Sequence, residues 1–266
     1  MLDQPITSKM LAAKDGAVGR IIFNNPARHN AVSLDMWQAV AQIMDDFNAD
    51  DRVRVIVLTG AGGKAFVSGG DISEFKEKRA SEEAAAEYAK ISETARVKLQ
   101  DTLKPTIAMI RGYCIGGGLA TAIACDIRVA AEGSLFGIPA AKLGLGYAYD
   151  GIKKLIDLVG PAYAREIFYT ARQFSAEEAL AMGLINRLVP DGELETYVQN
   201  YCDTIAANAP LTVRSAKVSV REALKPESQR DLELCKRLVA ECFASEDYTE
   251  GRTAFMEKRR PVFKGR

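Results

Sequence analysis

Residues 53–59 (VRVIVLT) form a nearly continuous run of β-branched and leucine side chains, interrupted only by Arg54. A strand with one face in water alternates apolar and polar residues, whereas a continuous apolar run is typical of a strand buried on both faces. Similar short runs occupy residues 18–24, 106–110 and 127–130, and helical patterns lie between them. This alternation predicts an α/β core with right-handed crossover connections.

Helix signals separate the predicted strands. Ser33 is a candidate N-cap ahead of apolar residues spaced three and four apart, and residues 80–103 alternate charge and alanine in a helical pattern. Gly183 is placed to end a helix before a last strand at residues 184–189. Two pairs have the spacing of capping boxes, Asp71 with Glu74 and Ser175 with Glu178.

The later part of the chain changes character. Pro161 can begin a helix, and from about residue 192 onward one helical pattern follows another, with breaks at Pro210 and Pro226. We therefore expect an α/β core over residues 1–191 and a helical region over residues 192–266.

The charge balance limits the classes of partner. Lys and Arg number 35 and Asp and Glu number 35, so the formal net charge is zero. Binding to nucleic acid or to an anionic membrane favours a basic excess, and neither is expected as the main partner. The one histidine, His29, excludes a metal site that needs two or more His ligands within one chain. We expect no bound metal.

Cysteine usage and the longest uncharged stretch bear on location. Five cysteines without CxxC spacing cannot form a complete disulfide framework, which favours reduced thiols and a cytoplasmic compartment. No signal peptide is predicted. Residues 112–125 are uncharged but fall short of the roughly 20 residues that a membrane helix needs.

Two glycine clusters follow predicted strands, at residues 68–71 (SGGD) and 116–118 (GGG). Glycine allows backbone to approach a ligand closely, and a helix N-terminus carries N–H groups without intrahelical partners. Two such N–H groups aimed at one point would form an oxyanion hole that polarises a carbonyl group. Tight turns alone would also account for either cluster. Neither cluster matches a phosphate-binding loop or the GxGxxG pattern.

Five motifs, in order along nearly the whole chain, resemble the crotonase superfamily, also called the enoyl-CoA hydratase/isomerase family. The resemblance implies a spiral of ββα turns, with residues 192–266 serving trimer contacts in a homotrimer or a dimer of trimers. The motifs are NNPARHNAVS at 24–33, KAFVSGGDI at 64–72, GYCIGGGLATAIACDIRVA at 112–130, FGIPAAKLGL at 136–145 and FMEKRRPVF at 255–263.

The resemblance implies an enzyme that acts on acyl-CoA thioesters, with CoA as part of the substrate and no separate cofactor. The backbone N–H groups of Gly70 and Gly117 would form the oxyanion hole and stabilise an enolate. The last helix would supply Phe255 and Lys258 to the adenine and 3′-phosphate end, often from the neighbouring subunit. CoA would lie along Arg28, Ser68, Asp71 and Ile72.

The sequence departs from the family at both glutamates that hydratases use to add water. Ala120 and Ala140 stand at those positions, and alanine can neither accept nor donate a proton. The family places the following loop over the acyl pocket, so Leu143 and Tyr149 join the two alanines as candidate pocket residues.

The same loop offers the candidate catalytic side chains Tyr147 and Asp150. Asp150 would serve an atypical hydratase, and Tyr147 would orient a carboxylate in a decarboxylase; an isomerase is a third reading. Alternatively, Tyr147 and Tyr149 pack and Asp150 caps a helix. A non-catalytic acyl-CoA-binding or assembly protein that has lost its acids is the competing class.

Overall fold

The computed structural model describes residues 7–71 and 82–266. Two predictions, the capping role of Glu74 and the CoA contact of Ile72, lie outside the described residues. The strands are β1 (Met10–Asp15), β2 (Val18–Phe23), β3 (Val55–Gly60), β4 (Ala65–Val67), β5 (Thr106–Ile110), β6 (Tyr113–Ile115), β7 (Ile127–Ala131), β8 (Leu135–Gly137), β9 (Phe174–Ser175) and β10 (Arg187–Val189).

Helices connect the strands and form the C-terminal part. They are α1 (Leu34–Ala49), α2 (Glu82–Asp101), α3 (Gly117–Ile123), α4 (Tyr149–Thr170), α5 (Ala176–Ala181), α6 (Leu194–Ala207), α7 (Pro210–Ala223), α8 (Leu232–Ala244) and α9 (Glu246–Glu257). Short 3₁₀ turns lie at Pro26–Arg28, Pro139–Leu143, Asp191–Glu193 and Glu227–Gln229.

The larger sheet has six strands in the order β1-β2-β3-β5-β7-β10, all parallel except the antiparallel pair β1 and β2. Residues 55–58 of β3 have no exposed surface, as the continuous apolar run predicts. The predicted strand over 184–189 is too long, because the Leu184 N–H bonds back to the Ala179 carbonyl and closes helix α5. Only Arg187–Val189 remain to pair with β7.

A second sheet of four short strands, β4-β6-β8-β9, lies beside the first. Strands β4, β6 and β8 each follow a strand of the larger sheet directly and precede a helix. The chain therefore repeats a strand–strand–helix unit three times, which confirms the α/β class and the spiral of ββα turns.

Helix α1 buries one face against the larger sheet, including Met36, Val40, Met44 and Phe47. Ser33 does occupy the N-cap position, but its hydroxyl bonds to the Asp35 carboxylate instead of capping the helix backbone. The predicted N-cap residue is therefore confirmed, but its side chain makes no capping hydrogen bond.

Helix α4 contains a break that the sequence signals. Gly160 has a φ of 72° and a ψ of 170°, so the helix is interrupted there and begins again at Pro161. Proline suits the first turn of a helix because that position needs no N–H. The prediction that Pro161 begins a helix is confirmed.

A capping box begins helix α5. The Ser175 hydroxyl accepts a bond from the Glu178 N–H at 3.2 Å, and the Glu178 carboxylate accepts one from the Ser175 N–H at 2.8 Å. We expect Ser175→Ala to lower the free energy of unfolding by about 1 kcal/mol, because one N–H at the helix end loses its partner. Chemical denaturation checks this, with the exposed Ser228 changed to Ala as the control; equal midpoints for both variants would contradict it.

The chain after residue 192 is mostly helical. Pro210 begins α7, and Pro226 follows the end of that helix, as the sequence predicts. The division at 191/192 and an oligomerisation role remain predictions. Within the described residues, no helix combines the length and the apolar character required to cross a membrane.

Candidate active site

The loop between β2 and α1 holds the first glycine cluster by backbone pairing. The Val32 N–H donates to the Gly69 carbonyl at 2.8 Å, and the Asp71 N–H donates to the Val32 carbonyl at 2.9 Å. Peptide groups of an extended chain point alternately to opposite sides. Because its two neighbours face Val32, the N–H of Gly70 points away from Val32.

The second cluster brings another N–H beside the first. Gly117 is the first residue of α3, where an N–H has no intrahelical partner. A Cβ added to Gly117 would lie 3.7 Å from the Gly70 amide nitrogen, and one added to Gly69 would lie 3.9 Å from the Gly117 amide nitrogen. The structure thus brings Gly70 and Gly117 together, as the sequence motifs predict.

Two conformations in these clusters require glycine. Gly69 has a φ of 116° and Gly116 a φ of 57°, both in the region that side chains with a Cβ rarely adopt. The Gly116 N–H donates to the Gly137 carbonyl at 2.8 Å, which ties the start of α3 to β8.

Gly118 supplies a different constraint, because α3 approaches β4 backbone to backbone. A Cβ on Gly118 would lie 2.0 Å from the Val67 carbonyl oxygen. Only glycine fits that space, and its absence of a side chain sets how close α3 comes to the SGGD loop.

The candidate CoA ligands Arg28, Ser68 and Asp71 lie around Gly70. The Arg28 guanidinium is 3.0 Å from the Asp71 carboxylate, and the Arg28 side chain is about half exposed while Asp71 is buried. The Ser68 N–H donates to the His29 carbonyl at 3.1 Å. Their contacts with CoA stay predictions.

Ala120 and Ala140, the two positions at which the resemblance predicts acids, flank the glycines. Ala120 lies one helical turn after Gly117, and Ala140 is buried in the 3₁₀ turn after β8. The Pro139 ring would lie 3.8 Å from a Cβ on Gly116, so this turn adjoins the start of α3. That these two positions correspond to hydratase glutamates stays a prediction from the resemblance.

Two thiols lie close in the chain to the glycine cluster at 116–118, Cys114 before it and Cys125 after α3, but they are unsuited to proton transfer. Cys114 and Cys125 are buried, and burial raises the pKa of both thiols, that of Cys125 to about 12. Both stay protonated at neutral pH and behave as small apolar groups.

The candidate side chains before α4 and in its first turn differ in burial. The Tyr147 ring packs edge-on against Phe168 with 5.0 Å between the ring centroids, and burial raises the pKa of its hydroxyl. Tyr149 and Leu143 are 75% and 60% exposed, and Asp150 is exposed. Ala148 occupies the N-cap position of α4, so the alternative that Asp150 caps this helix is wrong.

Phe255 and Lys258 lie at the end of α9. Phe255 is 82% exposed and lines a cavity of about 840 Å³ among α7, α8 and α9, together with Val239, Phe243 and Tyr248. Lys258 ends the helix in a left-handed conformation, with a φ of 56°. The residues that line this cavity include none of the residues described above around Gly70 and Gly117.

Sequence reasoning missed Asn30, whose buried side chain holds the loop between β2 and α1, and Val32, whose backbone pairs with the SGGD loop. Both lie inside the motif at 24–33. The motif marks the segment as part of the resemblance, but hydrogen bonds to residues distant in the chain produce no local sequence pattern that would identify Asn30 or Val32.

Comparisons with known proteins agree on the family. A model of the enoyl-CoA hydratase/isomerase family matches residues 13–266. The short-chain-enoyl-CoA hydratase of Clostridium acetobutylicum is 32% identical over 95% of this chain and 96% of its own. The carnitinyl-CoA dehydratase of Salmonella typhi is 32% identical over 95% of this chain and 97% of its own.

A solved structure gives the same result. The enoyl-CoA hydratase/carnithine racemase from Magnetospirillum magneticum superimposes with a TM-score of 0.91 at 36% identity, covering 98% of this chain and 97% of that one. The chain belongs to the enoyl-CoA hydratase/isomerase family of the crotonase superfamily.

Proposed function

We propose that this protein is an enzyme that acts on an acyl-CoA thioester through an enolate held by the N–H groups of Gly70 and Gly117. The adjacency of these two amides carries the proposal. The relatives named as hydratases and a dehydratase of CoA esters support the substrate class.

The physical reason is the charge that develops on the thioester oxygen. In the enolate this oxygen gains negative charge, and donors already fixed in place need no reorganisation when the charge appears. The bridge between Val32 and Gly70 fixes one donor, and the start of α3 fixes the other. Each donor is worth roughly 3 to 4 kcal/mol of transition-state stabilisation.

We assign the CoA portion to the face around Gly70, with Arg28, Ser68 and Asp71 along it. In a homotrimer or a dimer of trimers, Phe255 and Lys258 of a neighbouring subunit would reach the adenine and 3′-phosphate. The exposure of large apolar side chains on and after α9 supports this association, because such residues are usually covered. They are Phe255, Met256 and Val262.

Among lyase reactions, decarboxylation fits the described residues best. The bond between the α-carbon and the carboxylate breaks, its electron pair passes into the thioester enolate, and carbon dioxide leaves. The enolate then takes a proton from solvent water at the α-carbon, which gives the decarboxylated thioester. No base is needed for the first step, which suits the alanines at 120 and 140. Because burial raises the pKa of Tyr147, its hydroxyl stays a neutral donor that can orient a carboxylate.

Hydration by an atypical acid is the second candidate. Asp150 is an exposed carboxyl group in the first turn of α4, close in sequence to the pocket residues. Double-bond isomerisation would use the same enolate and ranks third. Loss of both glutamates also supports a non-catalytic acyl-CoA-binding protein as an alternative.

Incubation with enoyl-, malonyl- and aryl-CoA esters, followed by mass analysis, separates these reactions. Loss of carbon dioxide would identify a decarboxylase, and gain of water a hydratase. An unchanged mass with a moved double bond would identify an isomerase. Tight binding of CoA esters without conversion of any of them would overturn the enzyme proposal.

Tyr147→Phe tests the choice of reaction. If the hydroxyl orients a carboxylate, we expect the rate of decarboxylation to fall roughly 10- to 100-fold, because a misplaced reacting group loses much of its orientation. The ring contact with Phe168 is preserved, so the fold should be unaffected. Tyr169→Phe, at an exposed position of α4 outside the candidate pocket, is the matched control. Equal rates for the two variants on every substrate would make Tyr147 a packing residue.

A further inference from the structure

The Asn30 side chain is completely buried at the centre of the loop between β2 and α1. Its amide nitrogen donates to the Ala65 carbonyl at 2.7 Å and to the Ala61 carbonyl at 3.0 Å. Its carbonyl oxygen accepts a bond from the Asn25 N–H at 2.9 Å. The carboxamide thus joins the loop to both ends of the connection between β3 and β4.

The backbone at this point adopts a conformation that few residues tolerate. His29 and Asn30 both have left-handed dihedrals, with φ values of 51° and 56°. Asparagine visits this region more readily than most side chains. The two left-handed residues turn the chain sharply, so the strained turn needs the bonds of the Asn30 carboxamide to hold it.

The backbone on both sides of this turn holds the SGGD loop. Before Asn30 in the chain, the His29 carbonyl accepts a bond from the Ser68 N–H at 3.1 Å. After Asn30, Val32 makes both hydrogen bonds of the bridge around Gly70. Asn30 lies between these two contacts and anchors both to the interior.

We infer that Asn30 is a positioning residue of the oxyanion hole: its carboxamide fixes the backbone that aims the Gly70 N–H. The inference rests on the proposed function of Gly70 and Gly117. Asn30 itself is not assigned a contact with the substrate. Its effect passes through the contacts of His29 and Val32 with the SGGD loop.

The absorption spectrum of a bound conjugated thioester reports on the oxyanion hole and does not change with protein stability alone. When donors polarise the carbonyl of bound cinnamoyl-CoA, its absorption maximum moves to longer wavelength. The unaltered protein should show this shift. If the unaltered protein shows no shift, the proposed oxyanion hole is wrong. If the unaltered protein and the Asn30 variants show the same shift, only the role of Asn30 is wrong.

Two substitutions remove the carboxamide in different ways. Asn30→Asp keeps the shape but loses the donor to Ala61 and Ala65, and Asn30→Gly keeps the left-handed turn without a side chain. In both we expect the shift to fall by at least about half, and turnover to fall about 10- to 100-fold with KM changed much less, because the donor is misaimed. Asn24→Asp is the control, since the Asn24 amide bonds to the Ser8 carbonyl instead of the SGGD loop; this variant should keep the full shift.

Folding is checked by circular dichroism. If neither Asn30 variant folds, Asn25→Ala carries the test, since the partly buried Asn25 side chain supports the same loop through the Ala31 carbonyl at 3.1 Å. A smaller loss of the shift is then expected. A full shift in the folded Asn30 variants, or in Asn25→Ala where that variant decides, would overturn the inference.

Discussion

Gly117→Pro is expected to lower turnover roughly 10²- to 10³-fold while CoA binding changes little, because proline removes one N–H of the oxyanion hole. Gly117 is the first residue of α3, a position that accepts proline without loss of a helical hydrogen bond. The fold should therefore survive the change. Steady-state kinetics together with binding of free CoA separate the two effects.

Gly117→Ala is the matched control for the proline variant, because it keeps the N–H. The added Cβ would meet its nearest neighbours at 3.7 Å, an ordinary contact distance, and Gly117 has no left-handed φ to strain. We expect this variant to retain far more activity than the proline variant. Retained activity in Gly117→Pro would remove the oxyanion assignment.

Gly118→Ala is expected to cause the largest loss of stability. Its Cβ would lie 2.0 Å from the Val67 carbonyl oxygen and 2.7 Å from the carbonyl carbon, and backbone atoms cannot rotate away as a side chain does. Helix α3 must move off β4 as a unit. Overpacking usually costs 1 to 3 kcal/mol, and we expect a loss of about 3 kcal/mol or more here.

Thermal and chemical unfolding measure this loss, and Gly192→Ala provides the comparison. A Cβ at Gly192 meets nothing within 4 Å, and its φ is not left-handed. That control should stay within about 0.5 kcal/mol of the unaltered protein. Equal stability of the two variants would contradict the close packing of α3 on β4.

Strands β2, β3, β5 and β7 of the larger sheet could be predicted because their signal is local, whereas β1 was missed and β10 was predicted too long. A run such as residues 53–59 records burial on both faces in its own composition. Strands β4, β6 and β8 have three residues each and adjoin glycines, so no periodicity distinguishes them from loops. Their existence follows from pairing with one another, which is a tertiary property.

The candidate site was predictable in part for the same reason. Glycine clusters are visible in the sequence, but the adjacency of Gly70 and Gly117 depends on how α3 packs on β4. Local rules held only in part: Ser33 is the N-cap residue of α1 but its hydroxyl bonds to Asp35, and Asp150 lies just inside α4 instead of at its cap. The hydrogen bonds of Asn30 reach residues more than thirty positions away and leave no local trace.

The central claim is that the carbonyl oxygen of a bound CoA thioester accepts bonds from the Gly70 and Gly117 amides. Infrared difference spectroscopy of a thioester labelled with ¹³C at its carbonyl tests this directly in the unaltered protein and in Gly117→Pro. We expect binding to lower the carbonyl stretching frequency and Gly117→Pro to abolish most of this change. A frequency in the unaltered protein equal to that of the free thioester in water would contradict it.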